Sequence, residues 1–135
     1  MKVLLVSSSG GHWVQMCRLK PAFEGCELVY ASTEKSYYQH HPDSPFYYIP
    51  DASRWNKMRL LWQALIVLKT LIAVRPDIII TTGASAGLFA LFLGKKRGAK
   101  TIWVDSIANS ETLSLSGQKA KKYADLYLTQ WEHLA

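Results

Sequence analysis

The chain has 135 residues, 49% of them apolar, which suits one domain with its own hydrophobic core and argues against a disordered tail. Its net charge of +6, from 16 Lys and Arg against 10 Asp and Glu, favours anionic partners: nucleic acid, acidic lipid headgroups or phosphorylated substrates. Two cysteines, Cys17 and Cys26, show neither CxxC nor metal spacing and read as reduced thiols of a cytosolic protein, and the apolar run Val3–Val6 is too short for a signal peptide.

The first element, Lys2–Ser7 (KVLLVS), reads as a parallel strand buried on both faces. It runs through Ser7-Ser8-Ser9-Gly10-Gly11-His12 into a helix expected over Gly11–Ala22. The glycines let the main chain turn sharply and approach a ligand. The free N–H groups and positive dipole end of the helix face the same loop, a place that suits an anion. The plainer reading is a tight strand-to-helix turn with a serine cap. Neither GxGxxG nor GxxxxGK[ST] is present, so neither NAD nor ATP is indicated. His12 is the one ionisable side chain in this loop. Imidazole suits proton transfer near neutral pH, and it can equally bind a phosphate or cap the structure.

Strands follow at Glu27–Ala31 and Phe46–Ile49, with a helical stretch at Lys35–Gln39 between them. The segment RWNKMRLLWQALIVLKTLIAVRP, from Arg54 to Pro76, carries a helix over Lys57–Ala73. Leu61, Ala64, Leu65, Leu68 and Ile72 recur at helical spacing and are expected to cover the sheet. Leu60, Trp62, Ile66, Val67, Leu71 and Val74 leave little polar face. Gln63 and Lys69 interrupt the run, against the roughly 20 apolar residues of a bilayer span. Its start is basic and aromatic: Arg54, Trp55, Lys57, Arg59 and Trp62 suit an anionic membrane surface. The alternative is a core helix buried on two sides, partly by a partner subunit.

Asp77–Thr81 (DIIIT) is the next strand, and TTGASAG repeats the logic of the first loop. Gly83 breaks the strand, Ser85 can cap, and a small-residue helix over Ala86–Lys96 follows. Two strand–glycine–helix junctions on one rim make an anion cradle, against ordinary turn chemistry. Thr101–Val104 runs into Asp105, with Ser106 and Asn109 close behind. A carboxylate there can orient a sugar hydroxyl or take its proton, or simply cap a helix. A helix at Gln118–Tyr123 and a strand at Leu126–Thr129 complete the pattern. The alternation predicts an open, doubly wound α/β sheet in a single domain over residues 1–135. The loops Ser7–His12, Tyr48–Arg54, Thr82–Ser85 and Asp105–Asn109 should meet along the carboxyl-end rim. Lys95-Lys96-Arg97 and Lys119–Lys122 come without a helix-turn-helix, zinc finger or RNP-like strand, so no nucleic-acid partner is expected. His40, His41 and His133 receive no role.

Three stretches carry a resemblance: SSSGGHWVQM, PDIIITTGASAG and WVDSIANSETLSLSGQKAKKYADLYLTQWEHL. They resemble the acceptor-binding, membrane-associated subunit of the two-component glycosyltransferases. Its eukaryotic member helps form dolichyl-diphosphate di-N-acetylchitobiose, and its bacterial members serve capsule and exopolysaccharide synthesis. The third stretch is the most specific, through aromatic-Val-Asp/Glu-Ser, Ser-Leu-Ser-Gly and Ala-Asp-x-x-x-x-Gln-Trp. The resemblance spans essentially the whole chain and extends, more weakly, to the single-chain N-acetylglucosaminyltransferase that makes peptidoglycan lipid II.

It implies a Rossmann-like parallel sheet with helices on both faces, equivalent to the N-terminal half of a GT-B glycosyltransferase. The half that binds most of the nucleotide sugar would be a separate partner, in a heterodimer or larger assembly. Gly10, Gly11 and His12 would line the cleft, and Gly83, Ala84 and Ser85 would help hold the diphosphate of a polyprenyl-diphosphate-sugar acceptor. Ser9, Ser106 and Asn109 complete the expected substrate-binding set. The implied chemistry is inverting transfer from a nucleotide sugar, with His12 as the base and Asp105 as its competitor. No DxD-like pair is present, so neither metal nor cofactor is expected, and helix N-termini can stabilise the leaving diphosphate. Eukaryotic members carry an N-terminal membrane anchor, whereas this chain starts at its first strand. Peripheral attachment to the cytoplasmic face, through Arg54–Val74 or a partner, is therefore expected. Two other classes stay open: a membrane-docking scaffold that activates its partner without catalytic groups, and a free-standing nucleotide-binding protein.

Overall fold

The computed structural model describes residues 1–8, 11–40, 44–50, 56–82, 84–104 and 124–128. Among these, six parallel strands form one sheet: β1 (Lys2–Ser7), β2 (Glu27–Ser32), β3 (Phe46–Tyr48), β4 (Ile78–Thr81), β5 (Lys100–Val104) and β6 (Leu126–Leu128). The strand order is β3-β2-β1-β4-β5-β6, the doubly wound order, with its reversal between β1 and β4. Three α-helices are described: α1 (Gly11–Cys17), α2 (Lys57–Val74) and α3 (Ala84–Lys96).

Strand alternation sorts the core into two layers. Leu4, Val6, Val29, Ala31, Ile79 and Trp103 face Val67, Leu71 and Val74 of α2 and Ala86, Ala90 and Leu91 of α3. On the other side Val3, Leu5, Tyr30, Ile80 and Val104 meet Trp13 and Met16 of α1. Burial on both faces explains why the central strands are almost wholly apolar. The Rossmann-like sheet expected from the sequence is therefore present, with helices on both faces.

Several boundaries differ from expectation for local reasons. α1 stops at Cys17, and a 3-10 turn over Lys20–Phe23 replaces the rest of the expected helix, with Pro21 in its first turn. The proline ring offers no N–H and disfavours helical backbone before it. Lys35–His40 is likewise a 3-10 turn, and α3 begins at Ala84 rather than Ala86. The expected helix Gln118–Tyr123 lies outside the described residues.

The inward face of α2 is the main correction. Gln63, Val67, Thr70, Leu71 and Val74 are buried, whereas Leu61, Leu65 and Ile72, expected to cover the sheet, point outward. The helix is apolar nearly all round, so periodicity alone could not orient it. Its two buried polar side chains are satisfied locally. Gln63 Nε2 donates to the Pro50 carbonyl at 2.9 Å, and Thr70 Oγ1 donates to the Ile66 carbonyl at 2.9 Å. Asn56 caps the helix start, its Oδ1 accepting the Arg59 N–H at 3.1 Å.

α3 lies very close to β4. A Cβ at Gly87 would run into the Thr81 hydroxyl, and one at Gly94 into the Ile79 side chain. These two glycines, two turns apart, set the helix–sheet distance. Two aspartates fix strand starts. The Asp77 carboxylate, before β4, accepts the Lys2 N–H at 2.8 Å, and the Asp125 carboxylate, before β6, accepts the Thr101 N–H at 2.9 Å.

Candidate functional site

Because every strand is parallel, the loops after β1, β3, β4 and β5 leave from one edge of the sheet, as expected. β1 and β4 are neighbours, with Val6 opposite Thr81. The first glycine loop leads from β1 to α1 on one face, and the second leads from β4 to α3 on the other. They leave on either side of the strand-order reversal, where open α/β sheets bind ligands.

Gly11 and His12 are the first two residues of α1, and Ala84 and Ser85 the first two of α3. Ser9, Gly10, Gly83, Asp105, Ser106 and Asn109 lie outside the described residues, as do Arg54 and Trp55. Trp13, the residue after His12, anchors α1. Its indole stacks on Tyr37 with centroids 4.5 Å apart, packs edge-on to Phe46, and donates Nε1–H to His40 Nδ1 at 2.9 Å. Truncating such a core indole costs about 3–5 kcal/mol in general. His40, given no role from sequence, thus holds the helix that carries His12.

The same rim holds polar groups that sequence reasoning missed. Ser7 and Ser32 end adjacent strands, pair in register and are fully buried. They share the α1 face with Leu5 and Tyr30, and among the described residues neither hydroxyl has a hydrogen-bond partner. Buried hydroxyls are normally satisfied, so these two keep bonding capacity for a group beyond the described residues. The signal available was a small polar residue directly after each apolar run. Near them, burial pushes the Tyr30 phenol up to about 12 and also raises the Cys17 thiol. Both stay protonated at neutral pH, so neither serves as base or nucleophile there.

Gln63 ties the rim to α2 through Pro50, and α2 starts on that side because it follows β3. Its outward face exposes Met58, Leu61, Trp62, Leu65 and Ile72, from 48% to 77% each. Lys57, Arg59 and Lys69 flank them, with Arg59 over the Trp62 ring at 5.4 Å. Among the described residues no helix is long and apolar enough to cross a membrane, and no His, Cys, Asp or Glu cluster could hold a metal.

The fold defines a class. The whole chain superposes on 43% of MurG from Acinetobacter baumannii with a TM-score of 0.79 at 12% identity. It also matches UDP-N-acetylglucosamine 2-epimerase from Rickettsia bellii, with a TM-score of 0.75 at 13% identity over 98% of this chain and 39% of that one. This is a Rossmann-like domain of the GT-B type. The family model for oligosaccharide biosynthesis protein Alg14 like matches residues 51–135, more than half of the sequence, and the chain belongs to that family. It is 33% identical to the UDP-N-acetylglucosamine transferase subunit ALG14 of Eremothecium gossypii, over 44% of this chain and 30% of that protein. The corresponding subunit of Schizosaccharomyces pombe is 37% identical over 44% of this chain and 31% of its own length. The aligned part thus spans less than a third of either relative.

Proposed function

We propose that this chain is the acceptor-binding subunit of a two-component glycosyltransferase. With a donor-binding partner it transfers a sugar from a nucleotide sugar to a polyprenyl-diphosphate-linked saccharide. The observation that carries this reading is the placement of two glycine loops, in a member of the Alg14-like family, on either side of the β1–β4 reversal. N-acetylglucosamine, named for the yeast relatives, is the first donor sugar to try, with capsule or exopolysaccharide assembly as the setting.

In this reading Ser9, Gly10, Gly11, Gly83, Ala84 and Ser85 hold the acceptor diphosphate, where α3 offers free N–H groups and a positive dipole end. Ser106 and Asn109, with the buried Ser7 and Ser32 hydroxyls, bond the sugar. His12 removes the proton of the acceptor hydroxyl as that oxygen attacks the anomeric carbon and the nucleotide diphosphate leaves; Asp105 is the other candidate base. Arg54, Trp55, Lys57, Arg59 and Trp62 bring the rim to an anionic membrane surface. The exposed apolar and basic face of α2 supports that placement.

The test is sugar transfer from a panel of nucleotide sugars to a polyprenyl-diphosphate-sugar, with this chain, its partner and both together. Transfer only with both is expected, and transfer by this chain alone would overturn the split-enzyme reading. His12→Ala should lower turnover about 100-fold or more in an intact complex. Unchanged turnover there would make the chain a scaffold that activates its partner.

A further inference from the structure

At the end of the sheet where the strands begin, α2 and α3 finish side by side and flank a half-open cavity of about 320 Å³. Leu71, Arg75, Pro76, Asp77, Arg97 and Gly98 line it. Two helix C-termini alone would repel an anion. Several of their terminal carbonyls, however, are already engaged. Leu71 O accepts the Arg75 N–H at 2.9 Å, Val74 O accepts Lys2 Nζ at 3.0 Å, and Lys95 O accepts the Gly98 N–H at 3.1 Å. Gly94 O takes the N–H groups of both Arg97 and Ala99 at 3.0 Å. The Asp77 carboxylate is engaged by the Lys2 N–H.

None of these carbonyls takes its hydrogen bond from a guanidinium. Among the described residues the ion pair present is Lys95–Asp125, and no carboxylate pairs with Arg75 or Arg97. Arg75 adds an independent observation. It is the one described non-glycine residue in left-handed backbone, at φ 52° and ψ 59°. Glycine takes that conformation without steric penalty and arginine does not. An unfavourable backbone position is a reason to ask what its side chain does.

We propose that this cavity binds the phosphate group of a small phosphorylated molecule, gripped by Arg75 and Arg97. Guanidinium forks match phosphate oxygens in pairs, and two of them match the charge of a phosphate dianion. The volume lies at the lower end of small-molecule pockets, enough for a phosphate with a sugar-sized remainder resting on Leu71 and Pro76. Lys96 and Lys100, close to Arg97 in the chain, add to the local positive charge. The site faces away from the glycine loops and does not depend on the sugar-transfer reading.

The test is calorimetric titration of the full chain with inorganic phosphate and glucose 1-phosphate, and sedimentation with phosphatidic acid vesicles read against phosphatidylglycerol vesicles. Wild type is compared with Arg75→Gly and Arg97→Gln. Glycine suits the left-handed cap, so Arg75→Gly should melt no lower than wild type. Saturable binding, weakened about tenfold or more by each substitution, is expected. Arginine-dependent binding of the soluble probes assigns a soluble ligand, and arginine-dependent binding confined to phosphatidic acid assigns a lipid headgroup; either sustains the site. Binding undiminished in both variants, or absent with every probe, would overturn it.

Discussion

Asp125 belongs to the Ala-Asp pair that opens ADLYLTQW, and at the scale of the single residue its role is structural. Its Oδ2 accepts from the Thr101 N–H at 2.9 Å and the Thr101 hydroxyl at 3.2 Å, while Lys95 Nζ lies 3.5 Å from Oδ1. The Thr101 main-chain bond, with Lys95 in support, holds the carboxyl below the usual carboxylate range. A lowered folded-state value means the stabilisation is complete above the unfolded value of about 4 and is lost as pH falls through the folded one. Asp125→Asn should therefore melt modestly below wild type at neutral pH, and the gap should narrow as pH falls below the unfolded carboxyl value of about 4. A gap that stays constant across that range would remove the charge from the account. Asp77 plays the matching part for β1, so the aspartates of PDIIITTG and ADLYLTQW mark strand starts, at the edge opposite the glycine loops. The sequence displayed both residues without displaying this shared use, because the N–H each one caps belongs to a strand distant in the chain.

For whole elements, legibility followed the number of faces each element buries. All six described strands could be located from sequence: burial on both faces demands consecutive apolar residues in the central strands, and the edge strands β3 and β6 are short aromatic and aliphatic runs. α2 could be located but not oriented, since apolar residues surround it and the buried Gln63 and Thr70 look like surface positions in a linear pattern. α3 carried its own signal in small residues, and the structure gives the reason. Gly87 faces Thr81 so closely that any side chain must push the helix off β4. Gly87→Val should cost about 1–3 kcal/mol, read as a lowered urea midpoint. An unchanged midpoint would mean that the close approach is not limiting. The displaced start of α3 should also weaken acceptor binding, in the proposed reading, because the second glycine loop leads directly into it.

In the molecule as a whole, the outward face of α2 and the rim are coupled by chain direction. α2 is 18 residues long and so runs about 27 Å from the carboxyl-end rim toward the opposite edge, with its exposed stripe along most of that length. A membrane lying against this stripe would bring a lipid-linked acceptor close to the glycine loops. Leu61→Glu with Leu65→Glu should reduce sedimentation with vesicles containing phosphatidylglycerol about tenfold or more, from the loss of two apolar anchors. Melting should stay near that of wild type, because both side chains are more than half exposed. Undiminished vesicle binding by the double variant would free α2 for another partner.

By itself the sequence determined the parallel α/β class, the positions of the strands and the two glycine junctions, because these follow from local hydrophobic runs and turn chemistry. It also carried the resemblance that the family match supports. Only the tertiary structure decided that β1 lies beside β4, that α2 turns Gln63 inward and Trp62 outward, and that Arg75 and Arg97 share one cavity. Each of these depends on pairing between segments far apart in the chain. Local preference cannot rank such pairings, whereas burial and hydrogen bonding in the assembled sheet can.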